Sequence, residues 1–304
     1  MIVAVYGIAR NEQHNVAGWA ESARDADYIV LLDTGSTDRT PERAIMAGAT
    51  VHEHDLEPFR FDVARNTALG LVPDDVDVCV VLDLDERLEP GWRDELEAMW
   101  PDGAVHCTVR FTNGEQSTLE YLMPRAHPRH GTVWHMPAHE HFTCPGGVSV
   151  IENMVITHRQ TPKDRPARDM PLLELAVAEN PNDPRAAYYY ARQLYYANDW
   201  NAARPAFERY LTLSHFDQER AEACLFMAVM VWPEAKERWL LRACFEAPQR
   251  REPWAHLARH YAEVGNQYGA RFAAERARSI VKRPDNQFHC EPWAWDDEAL
   301  LAYA

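Results

Sequence analysis

Two stretches of β-branched, apolar residues in this chain each stop on an aspartate: Tyr28 to Asp33 (YIVLLD) and Val76 to Asp83 (VDVCVVLD). Short runs of this kind read as strands, and the spacing between them reads as helix. Residues 2–8 (IVAVYGI) form an earlier run, and between it and Tyr28 the residues Val16, Trp19, Ala20 and Ala23 recur at helical spacing. That is a β-α-β unit. A second helix is expected after Asp38 and Thr40, with Pro41 suited to its first turn, and a strand over Ala49 to His52. A third helix is expected over Asp62 to Leu71. The run from Val76 to Leu82 lacks polar alternation, which suits the middle of a parallel sheet. Together these elements imply an α/β fold with a doubly wound sheet, in which ligands bind at the carboxyl ends of the strands.

After Trp100 the pattern changes to short strands over Ala104 to Phe111, Leu119 to Arg125, His139 to Thr143 and Ile151 to His158. Turn residues such as Asn113-Gly114 and Pro145-Gly146-Gly147 separate them. An antiparallel appendage on the same sheet is expected. From about Asp164 strand signals cease, and Ala, Glu, Arg, Leu and Tyr recur at helical spacing. Three segments superpose with a period of ~34 residues, that of the tetratricopeptide repeat. Tyr190, Ala191, Leu194, Ala203 and Phe207 take the packing positions in the first, and Trp254, Leu257, Ala258, Tyr261, Ala270, Ala274 and Ala277 do so in the last. The middle unit, with Cys224, Met227, Leu240, Ala243 and Pro248, is degenerate. Each unit is a helical hairpin that needs neighbours to cover its apolar face. A generic helical bundle is the other architecture that the pattern allows.

A chain of 304 residues accommodates two domains, and 46% apolar with 26% charged residues is ordinary for folded ones. The boundary is expected at 163/164. A formal net charge of −16 disfavours nucleic acid as a partner, because phosphate binding needs clustered Lys and Arg. The basic stretch Arg159 to Arg168 reads more simply as a solvated linker than as an anion site. The opening MIVAVYGIARNEQ is too short in its apolar part for a secretory signal, and no run approaches a membrane span, so a cytoplasmic location without membrane insertion is expected. Six cysteines without a CxxC pair are expected to be free thiols. A homo-oligomer is compatible with the sequence.

The chemistry is expected at two acidic motifs, DTGSTDRT (Asp33 to Thr40) and DLDE (Asp83 to Glu86), both at strand ends. Two carboxylates one residue apart can divide their work between ribose hydroxyls and a hard divalent cation. Such a cation neutralises charge on a departing diphosphate. Taken alone, an Asp-x-Asp in a turn also reads as a helix cap. Glu12 and the FDVARN segment, with Arg65 and Asn66, are further candidates for the same crevice. Arg anchors phosphate or base by its planar fork, or else makes an ordinary surface ion pair. The segment from His127 to Cys144 carries five histidines and a cysteine. Its spacing fits no closed zinc site, and strand alternation would put His139 and His141 on one face and Glu140 on the other. The clusters Tyr188-Tyr189-Tyr190 and Trp293 to Trp295 read as core rather than as ligand platforms.

These motifs together resemble the family 2 glycosyltransferases with the GT-A fold, in the subgroup that adds a tetratricopeptide-like C-terminal domain. The resemblance runs through ARNE (Ala9 to Glu12), LLDTGSTDRT (Leu31 to Thr40), FDVARNTAL (Phe61 to Leu69), VVLDLDERL (Val80 to Leu88), His139-Glu140, ITHRQ (Ile156 to Gln160) and LLELAVAENPNDPRAAYYYA (Leu172 to Ala191). They follow the family's order and cover nearly the whole chain. The resemblance implies a GT-A doubly wound mixed sheet over 1–163, which binds a nucleotide sugar, and an all-α helical domain over 164–304. It implies that Asp33, Glu12 and Arg65 contact the nucleoside, with Ala9, Arg10, Gly35, Ser36, Asp38 and Leu84 forming the rest of the nucleotide-sugar site. Many relatives have a second Asp where this chain has Thr34, which leaves open which carboxylate holds the base. Asp83 is implied near the ribose and the metal, with Asp85 as a direct ligand and His158 completing the site for Mn²⁺ or Mg²⁺. Glu140 is the candidate general base for an inverting transfer, with Glu86 as the alternative. UDP is the default nucleotide. The expected activity is sugar transfer to a protein or peptide held by the helical repeats. A glycan, a lipid-linked intermediate, a modified DNA base and a non-catalytic scaffold are the competing readings.

Overall fold

A computed structural model describes residues 1–113, 116–159, 165–283 and 290–303, and the chain divides into two compact units, Met1–Asp164 and Arg165–Ala304. In the first unit the strands β1 (Val3–Ala9), β2 (Tyr28–Asp33), β3 (Thr50–Glu53) and β4 (Val78–Val81) alternate with the helices α1 (Val16–Ser22), α2 (Thr40–Met46) and α3 (Phe61–Gly70). The short strand β5 (Glu86–Leu88) and helix α4 (Trp92–Met99) follow. Then come β6 (Ala104–Asn113), β7 (Gln116–Pro128), β8 (Val133–His135), β9 (His141–Thr143) and β10 (Val148–Arg159).

Eight strands form one mixed sheet in the order β3-β2-β1-β4-β7-β6-β10-β5. The first four are mutually parallel. Alternation along β1 sends Val3 and Val5 to one buried layer, with Trp19, Leu31 and Val80, while Ala4 and Tyr6 go to the other, with Leu32, Ala64 and Ala68. Both faces of the sheet are therefore covered, as a doubly wound fold requires. Sequence order reverses across β1, with β2 on one side and β4 on the other, and a crevice opens at such a point beyond the strand ends. Gly7 permits the close approach there: a Cβ would lie 2.8 Å from the Leu82 carbonyl oxygen and 3.0 Å from the Trp19 ring.

The later strands depart from the expected antiparallel appendage. β7 is antiparallel to β4 and β6, but β10 runs parallel to β6, and β8 and β9 form a separate two-stranded sheet. The expected strand from His139 begins only at His141, because His139 is left-handed (φ 53°), so alternation cannot assign faces to His139 and Glu140. Sequence reading also missed α4, where Trp92 and Leu96 are buried one turn apart after Gly91, and β5, a short, partly charged strand that begins at the last residue of the DLDE motif. Of the expected Asn113-Gly114 turn, Gly114 lies outside the described residues. So do Gln160 and the side chains of 161–167, which hold most of the basic stretch.

The second unit is helical: α5 (Arg165–Glu179), α6 (Pro184–Tyr196), α7 (Trp200–Leu213), α8 (Asp217–Met230), α9 (Pro233–Glu246), α10 (Arg251–Glu263), α11 (Gln267–Arg278) and α12 (Asp297–Leu301), with a 3-10 turn over Pro292–Trp295. The helices pair as hairpins α6/α7, α8/α9 and α10/α11. Small buried residues let the partners approach, among them Ala191, Ala203, Ala243, Ala258, Ala270, Ala274 and Ala277. Asp183, Asp199 and Asn266 cap α6, α7 and α11 through backbone amides, with Pro184 opening α6. Tyr188 and Tyr189 are buried, and Trp293 and Trp295 pack on a small cluster of Ala255, Ala277, Ala294 and Leu300. All six cysteines are free. Among the described residues no helix is long and apolar enough to cross a membrane.

Candidate active site at the strand tips

The loops after β1 and β2 are stitched to each other. Asp33 Oδ1 accepts from the amides of Gly35 (3.1 Å) and Ser36 (2.8 Å), a turn that Gly35 completes at φ 100°. The Thr34 amide and hydroxyl both donate to the Ala9 carbonyl, at 2.9 and 3.0 Å. Asn11 accepts from the Thr37 amide, and its own amide donates to Ser36 Oγ, both at 2.8 Å. Asp38 accepts from the amides of Gln13 and Thr40. Burial alone would push its carboxyl up, but these bonds and that from the Thr40 hydroxyl hold it below the usual range. The Glu12 carbonyl receives the first amides of α1, and its carboxylate accepts from Asn15 Nδ2 at 2.9 Å. Glu12 and Asp38 thus have local loop-building contacts, and Arg10 is exposed at the end of β1. Asp33 differs, because its Oδ2 is buried and has no partner among the described residues.

The DLDE motif closes the other side. Arg65 on α3 donates through Nη2 to Asp83 and through Nε to Glu140 Oε1 (3.1 Å), so one guanidinium joins two of the expected site residues. Arg125 on β7 pairs with Glu86 and lies 3.9 Å from Asp83. Desolvation would raise the Asp83 carboxyl, yet Arg65 and Arg125 outweigh it and hold the group well below the carboxylate range. Glu86 goes the other way, since complete burial pushes it up against the pull of Arg125. Glu86 also accepts from the Asp83 amide at 3.0 Å. Leu84 between the two aspartates is buried and apolar.

His158 faces this motif because β10 pairs with β5 in a register that sets His158 opposite Glu86. Its Nε2 lies 3.5 Å from Asp85 Oδ2, and its Nδ1 lies 3.7 Å from Glu86 Oε1. The ring plane is set by stacking on Phe111 (centroids 4.4 Å), which itself stacks on Tyr121 (5.0 Å). His158 Nε2, Arg65 Nη1 and Arg125 Nε are buried without hydrogen-bond partners among the described residues. Leaving such groups unpaired is costly, so these atoms at the strand tips are open to a ligand.

Asp85 and His158 offer an oxygen and a nitrogen to a divalent cation, a donor set that suits Mn²⁺. Among the described residues no three His, Cys, Asp or Glu side chains are already gathered into a metal site, zinc-like or otherwise. Asp83 is engaged with Arg65 instead. Of the two candidate bases, Glu140 keeps part of its side chain open (15%), whereas Glu86 is fully enclosed. Sequence reading missed Arg125, and the signal was a cation on an otherwise apolar, inward-facing strand position. It also missed Tyr6 and Trp134, which carry no motif, and placed His127 only within a histidine-rich segment.

No protein-family model matches the sequence, and no curated protein matches it. Among solved structures the chain is similar to S. aureus TarS 1-349 in complex with UDP-GlcNAc, at 13% identity over 92% of each chain with a TM-score of 0.44. It is similar to glucosyl-3-phosphoglycerate synthase from Mycobacterium tuberculosis in complex with Mn²⁺ and UDP-glucose, at 18% identity over 58% of this chain and 78% of that one, with a TM-score of 0.42. It is also similar to MamA, at 17% identity over 36% and 61%, with a TM-score of 0.32. Scores below 0.5 do not carry the fold or function of those proteins to this chain.

Proposed function

We propose that this chain is a metal-dependent, inverting glycosyltransferase of the family 2, GT-A type, which moves a sugar from UDP to a protein or peptide. The observation that supports it best is the set of buried polar atoms at the strand tips that have no partner among the described residues, Asp33 Oδ2, Arg65 Nη1, Arg125 Nε and His158 Nε2. A nucleoside diphosphate with a cation supplies the complementary groups: donors for a carboxylate, and acceptors for guanidinium N–H. Asp85 and His158 would hold the cation, close to Asp83, and its contribution would be to offset charge on the leaving diphosphate. Asp33 Oδ2 receives the nucleoside, and the neighbouring backbone of Ala9, Gly35 and Ser36 shapes its pocket. Glu140 takes the proton from the acceptor hydroxyl as that oxygen bonds to the anomeric carbon, and the sugar–phosphate C–O bond breaks with its electron pair leaving on UDP. Arg65 keeps Glu140 oriented through the 3.1 Å bond. Enclosure of Glu86 favours Glu140 as the base. The unit Met1–Asp164 carries the chemistry, and the helical hairpins after Arg165 receive an extended acceptor.

The test is differential scanning fluorimetry with UDP and Mn²⁺ together. A ligand at 100 times its Kd stabilises the folded state by about 2.7 kcal/mol, so the wild type should melt several degrees higher. Asp85→Ala should gain little. Equal gains for both proteins would remove Asp85 from the metal site, and no gain for the wild type would overturn the reading.

A further inference from the structure

Trp134 on β8 is held from two sides next to Arg65. Its amide donates to Asn66 Oδ1 and its carbonyl accepts from Asn66 Nδ2, both at 2.9 Å, so one side-chain amide engages both backbone groups as a neighbouring strand would. Asn66 is the residue after Arg65 on α3. On the ring side, Trp134 Nε1 lies 2.9 Å from the Tyr6 hydroxyl, which lies 2.9 Å from His127 Nε2, and His127 Nδ1 lies 2.9 Å from the Pro128 carbonyl oxygen.

The polarity of that chain follows from its ends. A carbonyl only accepts, so His127 Nδ1 carries the proton. The ring is fully buried, and burial lowers its pKa to about 4, which leaves it neutral with Nε2 as an acceptor. Tyr6 therefore donates to His127, and its oxygen accepts the indole N–H. Each bond can run one way only, and the indole cannot turn without breaking the chain.

The face of this fixed indole lies under the guanidinium of Arg65, with Cζ 5.4 Å from the ring centroid. Arg65 spends Nε on Glu140 and Nη2 on Asp83, while Nη1 has no partner among the described residues. Two bonds along one edge leave the plane free to tilt, and a cation over an aromatic face resists that tilt. We propose that Trp134 is a positioning residue: Asn66 and the Tyr6–His127 relay lock its indole, and the indole sets the guanidinium that aligns Glu140 and Asp83. This rests on the proposed role of Glu140 as the base.

The test uses the full chain with UDP-glucose and Mn²⁺ as probes, and follows UDP release together with the Arg65 Nε–H signal in ¹⁵N NMR, assigned by its loss in Arg65→Lys. Trp134→Leu should lower kcat about ten-fold, as loss of a supporting contact does, with KM changed less than about two-fold. The Arg65 signal should shift and exchange faster with water. Trp134→Phe, which keeps an aromatic face, should recover most of both, and Tyr6→Phe should fall between. A lower Tm with unchanged kcat and an unmoved Arg65 signal in Trp134→Leu and Tyr6→Phe would overturn the proposal. If Trp134→Leu fails to fold, Tyr6→Phe carries the same readouts. Should the wild type release no UDP, the reading of the activity fails, while the Arg65 signal across the variants still decides whether Trp134 positions it.

Discussion

Both units bury arginines against carboxylates, but they finish the job differently. In the helical unit, Glu252 at the start of α10 is 1% exposed and pairs with Arg250. It also accepts from Trp295 Nε1 (2.7 Å) and the Glu291 amide (3.3 Å). Glu291 in turn accepts from Trp293 Nε1 (2.5 Å) and pairs with His256 at 2.8 Å. This cluster ties residues 291–295 to α10 and leaves its carboxylates engaged. At the strand tips, Arg65 and Arg125 meet Asp83, Glu86 and Glu140, yet buried donors and acceptors there stay unpaired among the described residues. Engaged carboxylates mark structure; donors and acceptors left open at neighbouring strand tips mark a ligand site.

The comparison can be tested by disturbing each cluster in turn. The largest effect is expected at the crevice: Glu140→Gln should cut turnover of UDP-glucose by roughly 10²- to 10⁴-fold, the range for losing a general base, with UDP and Mn²⁺ still raising Tm. Full activity would assign the base elsewhere. Glu252→Ala should do the reverse. Breaking one partner of a buried pair costs about 3–5 kcal/mol, so helical unfolding in urea should shift to lower concentration while UDP binding by the remaining folded protein is kept. A urea midpoint within error of the wild type would make the two clusters alike.

A smaller effect comes from His127. Its folded pKa of about 4 lies below the ~6.5 of an exposed histidine, so the unfolded chain takes up the proton first. Its contribution to stability is complete above pH ~6.5, falls as pH drops toward 4, and is lost by at most about 3 kcal/mol. Denaturation curves of wild type and His127→Gln across pH 7 to 4 should therefore converge at the acid end, and parallel curves would count against a buried neutral ring. The smallest change is Asp183→Ala. That side chain accepts from the amides of Arg185 (2.7 Å) and Ala186 (3.1 Å), and its loss should cost about 1 kcal/mol in urea titration without altering turnover.

Legibility followed the range of the signal. β2 lies where its apolar run put it, and α3 and β4 lie within two residues of their expected bounds, because period and β-branching are local. The three hairpins are also in place, since a repeat displays the same packing positions more than once. Helix α4 escaped notice because its two core residues, Trp92 and Leu96, sit among charges. The strand from His139 was misjudged because a single left-handed residue interrupts it, and no side-chain pattern announces a positive φ at histidine. Within the site, Asp33, Asp83, Asp85 and Arg65 stood out by motif. Arg125 and Trp134 did not, since each matters through a partner far away in sequence.

By itself the sequence determined the order of elements as far as β4, the acidic strand ends and the change from sheet to helix, all of which depend on neighbours within a few residues. Only the tertiary structure decided that Arg65 grips Asp83 and Glu140 together, that Glu86 is enclosed by Arg125, and that β10 brings His158 to Asp85. Those relations depend on strand order and register, and a parallel pairing such as β10 with β6 is set by packing across the whole sheet rather than by any short stretch of chain.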